Sequence, residues 1–380
     1  MKILIVAPYS AIPLGSYVNR FSHLAEKCAL RGHETTFVTS RFSHSMKKFH
    51  ECEAARSVEN LEVALIDCRA YRSHVGIGRI LNLIDFHRNF DIRFSDIDEF
   101  DLVYSAYPPI GHGISIARRR NPEKTKFLVD VQDVWPESFS SVLPSLQRIP
   151  SGLLPFSGAA NRVYRAADGL LAVSQTYLDR ARSVNHDAKS LLAYIGTEFN
   201  MIDTVPNQGE TVRLFYIGTL SYSYDIETVI KAVHELQSKG LPVELNIFGE
   251  GPDRTRLQSL PHSGTTFHGL LPYQAMEAEL RFQHIAVNAI RAKAPQSVTN
   301  KLCDYLGLGC PLLNSQQGEE VKGLLSKRVH RNYRAGDVNS ACAAISEMIE
   351  SPETRAVWKA DPTFSRNVIS ETIIDFIETL

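Results

Sequence analysis

RLFYIGTLSYSYDIETVIKAV, residues 213–233, opens on a short apolar run at 213–217, passes through a loop of glycine, serine and tyrosine, and continues into a stretch of helical period. Repeated, that order is the signature of parallel strands joined by crossover helices. Strand-like runs recur at 243–248, 265–268, 285–288 and 311–314. In the first half they fall at 2–6, 35–39, 61–66, 101–105, 126–131, 169–173 and 190–195. The fold class read from this pattern is α/β, with two Rossmann-like, doubly wound parallel sheets. Residues 196–209 combine Thr, Asn, Pro, Gln and Gly with little periodicity, which places the interdomain linker there. The expected domains are 1–196 and 210–362, with a C-terminal helix over 363–380 packing back on the first.

A chain of 380 residues exceeds what one core comfortably supports, and two domains of roughly 180 residues each are the expected solution. A formal net charge of -1 argues against nucleic acid as the main partner, because such proteins need a basic face to neutralise phosphates. The six cysteines are scattered without a Cys-x-x-Cys pair, so neither a disulfide framework nor a zinc site is expected. The run 2–6 follows Met1 directly, without the apolar stretch and cleavage site of a signal peptide, and no run approaches the length of a membrane span. The expected location is cytoplasmic, at the inner face of the cell membrane if the protein touches one.

Open parallel sheets bind ligands beyond the carboxyl ends of their strands, so the loops after these runs are the places to search. The first loop, 7–16, holds one glycine, Gly15, and lacks the Gly-x-Gly-x-x-Gly spacing that seats a dinucleotide pyrophosphate. No P-loop sequence is present either. An NAD, FAD or P-loop nucleotide enzyme is thereby disfavoured.

KILIVAPYS (2–10), LRGHETTFVTS (30–40), VDVQDVWPES (129–138), the stretch 213–233, NIFGEGP (246–252) and SVTNKLCDYLGLGCPLL (297–313) together resemble the GT-B glycosyltransferases. More narrowly, they resemble glycosyltransferase family 4, in the branch that builds bacterial surface polysaccharides. The resemblance runs through nearly the whole chain in the right order. It implies two lobes facing a cleft, with a nucleotide sugar on the C-terminal lobe and an acceptor on the N-terminal lobe.

The family usually shows two glutamates eight residues apart where this chain has Gln296 and Asp304. A carboxylate at the second position can accept hydrogen bonds from both ribose hydroxyls, and Asp304 is assigned that role against the alternative of a solvated helix residue. Between them Ser297, Val298, Thr299 and Asn300 precede a helix that Lys301 opens. The free N–H groups of such a turn form a diphosphate cradle, to which Lys301 adds a full charge unless it is a plain surface lysine. Family members also grip the phosphates with an Arg and a Lys in the first loop of this lobe. Here that loop, 218–225, begins with Gly218 and has neither, so Lys301 is expected to compensate, with Arg291 or Lys293. Gly249 and Glu250 sit in a loop where glycines would let the backbone approach a planar base, or make a simple strand-to-helix turn. By the same resemblance the loop 267–271, with Leu270, would offer backbone hydrogen bonds to the base edge.

In the first half, Gly15 is expected near the diphosphate or acceptor. Asp133, just after the run 126–131, would orient the acceptor hydroxyl or take its proton, and N-capping ahead of Pro136 explains it equally well. His112, in PPIGHGIS, occupies a loop where family members place a histidine against the donor sugar; His23 and His33 read as structural. Retention of anomeric configuration is implied, with the leaving diphosphate taking the acceptor proton and Lys301 stabilising it. No Asp-x-Asp follows a strand, so no metal is expected, and no cofactor beyond the donor, a UDP-sugar by family frequency. The acceptor would be a glycan or a lipid-linked sugar. The basic run 118–120 and the segment 76–94, which mixes Ile, Leu and Phe with Arg79, Arg88 and Arg93, suit peripheral contact with an anionic membrane. The alternatives are a non-hydrolysing nucleotide-sugar 2-epimerase, which needs no acceptor, and a non-catalytic nucleotide-sugar-binding subunit. Nothing in the sequence fixes the oligomeric state.

Overall fold

The structure, a computed structural model, describes residues 1–10, 12, 19–44, 46–50, 58–72, 76–139, 149–199, 209–292 and 298–380. The chain divides into two compact units, Met1–Tyr194 with Asn367–Leu380, and Ile195–Arg366.

The first unit runs β1 (Lys2–Val6), α1 (Arg20–Leu30), β2 (Glu34–Ser40), β3 (Leu61–Ile66), α2 (Ile77–Arg93), β4 (Leu102–Tyr107), α3 (Ile110–Arg119), β5 (Lys126–Val131), α4 (Ser157–Ala166), β6 (Gly169–Ala172), α5 (Gln175–Arg182) and β7 (Lys189–Leu192). Its strands lie in the order β3-β2-β1-β4-β5-β6-β7, all parallel. Helices cover both faces, so the central strands are near-continuous apolar runs, and every residue of β4 is buried. On one face Phe86 and Phe90 of α2, Ile116 of α3 and Val163 of α4 pack against Val103, Phe127 and Val129. α1 starts at a capping box: the Asn19 Oδ1 accepts from the Phe21 and Ser22 amides at 3.1 and 3.2 Å, while the Ser22 hydroxyl accepts from the Asn19 amide at 2.9 Å.

The second unit runs β8 (Val212–Ile217), α6 (Ile226–Ser238), β9 (Val243–Phe248), α7 (Arg254–Gln258), β10 (Thr265–Gly269), α8 (Tyr273–Leu280), β11 (Ile285–Asn288), α9 (Asn300–Leu308), β12 (Leu312–Asn314), α10 (Glu319–Leu325), β13 (His330–Asn332) and α11 (Val338–Glu350). The order is β10-β9-β8-β11-β12-β13, again all parallel. The fold class read from the sequence is the one observed. Only β13 escaped that reading, because His330-Arg331-Asn332 is a three-residue polar edge strand without an apolar run.

The last helix, α12 (Arg366–Glu378), packs in the first unit. Ile369, Ile373, Ile374 and Ile377 join Ile3, Ile5, Phe37 and Leu171 on the sheet face opposite α2. Polar clamps align it: His23 meets Ser370 at 2.9 Å and Asn367 at 3.0 Å, and Arg31 reaches Glu371 and Asp375 at 2.9 and 2.7 Å. Exposed ion pairs contribute little each, and the four buried isoleucines, worth roughly 1.5–3 kcal/mol apiece, dominate the docking.

Candidate functional site

The strand order of the second sheet reverses between β8 and β11, the point where open α/β sheets hold their ligands. The loops leaving these two strands are tied together there. The Asp225 amide donates to the Ala289 carbonyl, and the Arg291 amide to that of Ser223, each at 3.1 Å. Asp225 itself is buried and structural, accepting from the Thr228 hydroxyl at 2.8 Å and the Gly336 amide at 2.9 Å.

Lys301, in the first turn of α9, reaches into this point. It is only 8% exposed, and its ammonium lies 3.1 Å from the ring centroid of Tyr224 and 5.2 Å from that of Tyr216. Gly218 makes the passage possible: it has φ 122°, and a Cβ there would stand 2.4 Å from Lys301 Cε. Burial pulls the Lys301 pKa down to about 7, and Asp304 offsets this only in part. Asp304, one helical turn on, is partly buried. Burial pushes its carboxyl up to about 7, against the opposing effects of a Thr197 hydrogen bond and of Lys301. A lysine and an aspartate on one helix face are thus each driven toward neutrality.

α9 is held firmly. The fully buried Tyr305 accepts the Ile217 amide at 3.0 Å, pinning the helix to the end of β8, and Thr299 Oγ1 caps the Leu302 amide at 3.2 Å. Val298 is buried at the helix entry and Asn300 is exposed. Ser297, Gln296 and Lys293 lie outside the described residues, as does Gly15.

The glycines after β9 serve close backbone packing. A Cβ on Gly249 would meet the Gly218 carbonyl oxygen at 1.9 Å, and one on Gly251 the Leu220 carbonyl oxygen at 2.1 Å. What these glycines admit is the neighbouring loop, stitched by the Leu220 amide donating to the Glu250 carbonyl at 2.9 Å. The strand-to-helix turn describes them. The Glu250 side chain pairs with Arg254, and Leu270, after β10, is 76% exposed.

Gly218, Gly249, Glu250, Leu270, Val298, Asn300, Lys301 and Asp304 therefore share the carboxyl edge of the second sheet. His112 and Asp133 belong to the first unit. His112 is 1% exposed, with Nε2 at 3.0 Å from Ser105 Oγ and 3.2 Å from the Ala106 carbonyl, edge-on to Phe86 and Phe90. Burial lowers its pKa to about 3, so the ring is neutral; it packs the core and presents no face to a donor sugar. Asp133 organises its own turn, accepting from the Val134 amide at 2.8 Å, the Trp135 indole at 3.0 Å and the Ser138 hydroxyl at 3.1 Å. Of the basic run, Arg120 is buried against Asp168 at 2.6 Å, and Arg119 donates to the Asp91 and Phe94 carbonyls. Arg118 is the exposed member of the run.

Sequence reasoning missed Tyr216, Tyr224 and Thr197. The first two lie within the strand-loop stretch 213–233, but an aromatic face offered to a cation has no spacing signature. Among the described residues no three His, Cys, Asp or Glu side chains form a metal-holding group, and no helix is long and apolar enough to cross a membrane.

Residues 211–351, most of the second unit, match the family model described as Glycosyl transferases group 1. The second unit carries a group 1 glycosyltransferase region. Solved structures resemble the whole chain at the level of fold. Sucrose-phosphate synthase from Thermosynechococcus elongatus is 14% identical, with TM-score 0.70 over 100% of this chain and 98% of its own. HepE from Anabaena, in complex with UDP and glucose, is 14% identical, with TM-score 0.66 over 100% of both chains. WaaG, a glycosyltransferase involved in lipopolysaccharide biosynthesis, is 11% identical, with TM-score 0.60 over 100% of this chain and 95% of its own. The architecture is that of the GT-B glycosyltransferases. No curated protein matches the sequence.

Proposed function

We propose that this protein is a retaining family 4 glycosyltransferase. It moves a sugar from a UDP-sugar to a glycan or lipid-linked acceptor in cell-surface polysaccharide or glycoconjugate synthesis, without a metal ion. The group 1 match over the second unit supports transfer from a nucleotide sugar, and the fold likeness extends to HepE, solved with UDP and with UDP-glucose.

The observation that carries the reading is Lys301, a buried ammonium at the switch point whose neighbours are two tyrosine faces and a carboxyl group itself pushed toward neutrality. A diphosphate would supply the missing counter-charge and hold Lys301 protonated. The free amides of the first turn of α9 add to that cradle, the Leu302 amide being already used by Thr299. Asp304 would accept from the ribose hydroxyls. As the sugar leaves, charge grows on the diphosphate where Lys301 and these amides are already fixed, and a phosphate oxygen takes the acceptor proton. The first unit would hold the acceptor, with Asp133 positioning Trp135 rather than moving a proton.

Thermal unfolding against a panel of nucleotide diphosphates and nucleotide sugars tests this, because a ligand of the native state raises Tm. Uridine ligands should stabilise the wild type, and Lys301→Met should lose both that shift and turnover. A Lys301→Met protein that transfers sugar normally would overturn the reading.

A further inference from the structure

The hydroxyl of Tyr273 is buried and meets no hydrogen-bond partner among the described residues. Polar groups taken out of water are almost always paired, so an open one beside a ligand site calls for an explanation. Tyr273 opens α8 directly after Pro272, where the chain leaves the carboxyl end of β10. Its ring stacks on that of Phe199, itself buried, with centroids 4.7 Å apart and planes inclined by 19°.

From Phe199 the contacts lead to Asp304. The Phe199 amide donates to Thr197 Oγ1 at 3.0 Å, and the Thr197 hydroxyl bonds the Asp304 carboxyl. Thr197 is lodged so closely against α9 that a Cβ on Gly307, three residues beyond Asp304, would meet its Cγ2 at 2.4 Å. The same two residues thus fix the Tyr273 ring and the Asp304 carboxyl. The phenol feels the Asp304 charge without bonding to it. Burial first, then Glu277 and Asp304, hold it well above its ordinary pKa, which keeps it a hydroxyl donor at any physiological pH.

A carboxylate offers about four acceptor positions, of which Thr197 takes one. A donor-capable phenol beside an acceptor suits a group that accepts from the first and donates to the second. Phosphate oxygens only accept and would be repelled by Asp304, whereas a sugar hydroxyl does both.

We propose that Tyr273 is a specificity residue of the donor site: its hydroxyl donates to the oxygen of a ribose hydroxyl that gives its own proton to Asp304. The inference rests on the nucleotide-sugar reading and adds to it a selectivity for ribonucleotides over deoxyribonucleotides, set by a tyrosine and an aspartate acting together.

Titration calorimetry of UDP, 2′-deoxy-UDP and 3′-deoxy-UDP against the wild type and Tyr273→Phe, with thermal unfolding of the free proteins, tests it. The substitution keeps the ring and its stacking on Phe199 and removes only the unmet hydroxyl, so Tm should stay level or rise. Tyr273→Phe should bind UDP roughly tenfold more weakly than the wild type does. With one of the two deoxy analogues, the one lacking the bridging hydroxyl, that difference should vanish, and the wild type should bind this analogue roughly tenfold more weakly than UDP. Equal UDP affinity of the two proteins, a loss of the same size with all three ligands, a lowered Tm in Tyr273→Phe, or a wild type that binds none of the three would overturn the proposal. If the wild type transfers sugar from a UDP-sugar and Tyr273→Phe binds every ligand as the wild type does, the ribose inference alone falls. If the tyrosine-dependent discrimination is found and no sugar passes to any acceptor, the transferase reading alone falls.

Discussion

Each unit sets a buried basic side chain beside an acidic one near the carboxyl edge of its sheet, Asp130 fully buried and Asp304 partly so, and the two pairs are built to opposite ends. In the first unit Arg20 donates to Asp130 at 2.8 and 3.4 Å, and Asp130 also accepts from the Tyr104 hydroxyl at 2.5 Å and the Gln132 amide at 2.7 Å. A remaining Arg20 nitrogen reaches the Tyr194 carbonyl at 2.6 Å. Burial works against the Arg20 charge, yet Asp130 and Tyr104 outweigh it and raise the pKa above its ordinary value. In the second unit the Lys301 ammonium rests on aromatic faces, and it and Asp304 are both shifted to about 7. A buried pair with its hydrogen bonds complete holds structure, whereas one left incomplete at a switch point is poised for a ligand.

The largest effect expected from this contrast is on stability. Arg20→Met should cost about 3–5 kcal/mol in urea unfolding, because it strands Asp130 without its partner. Lys301→Met should leave stability level or raise it by on the order of 1 kcal/mol, since it removes a poorly compensated charge, while ending donor binding. Equal losses from the two substitutions would break the comparison.

Next comes Gly218→Ala. With φ 122° and a Cβ 2.4 Å from Lys301 Cε, it should cost about 1–3 kcal/mol and also weaken UDP, by displacing the lysine. A normal UDP affinity in this variant would show that Lys301 need not pass Gly218.

The pH dependence sharpens the comparison further. Asp304 has a raised folded pKa, so its contribution is present below the unfolded value near 3.8 and lost as pH rises toward 7. Lys301 has a depressed one, so its contribution is present above the unfolded value near 10.5 and lost as pH falls toward 7. Together they give a stability contribution lowest near pH 7, with limbs of up to about 1.4 kcal/mol per pH unit. Asp304→Asn should flatten the acid limb and Lys301→Met the alkaline one. The smallest effect is Thr299→Ala, about 1 kcal/mol from the lost cap on the Leu302 amide, measured by the same unfolding curves.

Much of the fold was legible because buried parallel strands advertise themselves as apolar runs; 2–6, 61–66, 126–131, 243–248 and 285–288 coincide with β1, β3, β5, β9 and β11. The polar edge strand His330–Asn332 was invisible for the converse reason. Lys301, Gly218 and Asp304 were singled out from an ordered set of motifs, and the structure brings them together. The tyrosine faces needed the loop's three-dimensional course. His112 was misplaced although a signal existed: it lies four residues before Ile116, on the inner side of α3, where both are buried. Loop position suggested a ligand contact, and helix periodicity, which won, made it core.

Titration calorimetry of UDP against the wild type, Lys301→Met and Asp304→Asn proteins, in two buffers of different ionisation enthalpy at pH 8, tests the central assignment most directly. Lys301 is then mostly neutral before binding, so the wild type should take up close to one proton with UDP, Lys301→Met should lose both uptake and affinity, and Asp304→Asn should weaken binding while keeping uptake. UDP bound equally well by all three proteins, with no proton exchanged, would contradict it.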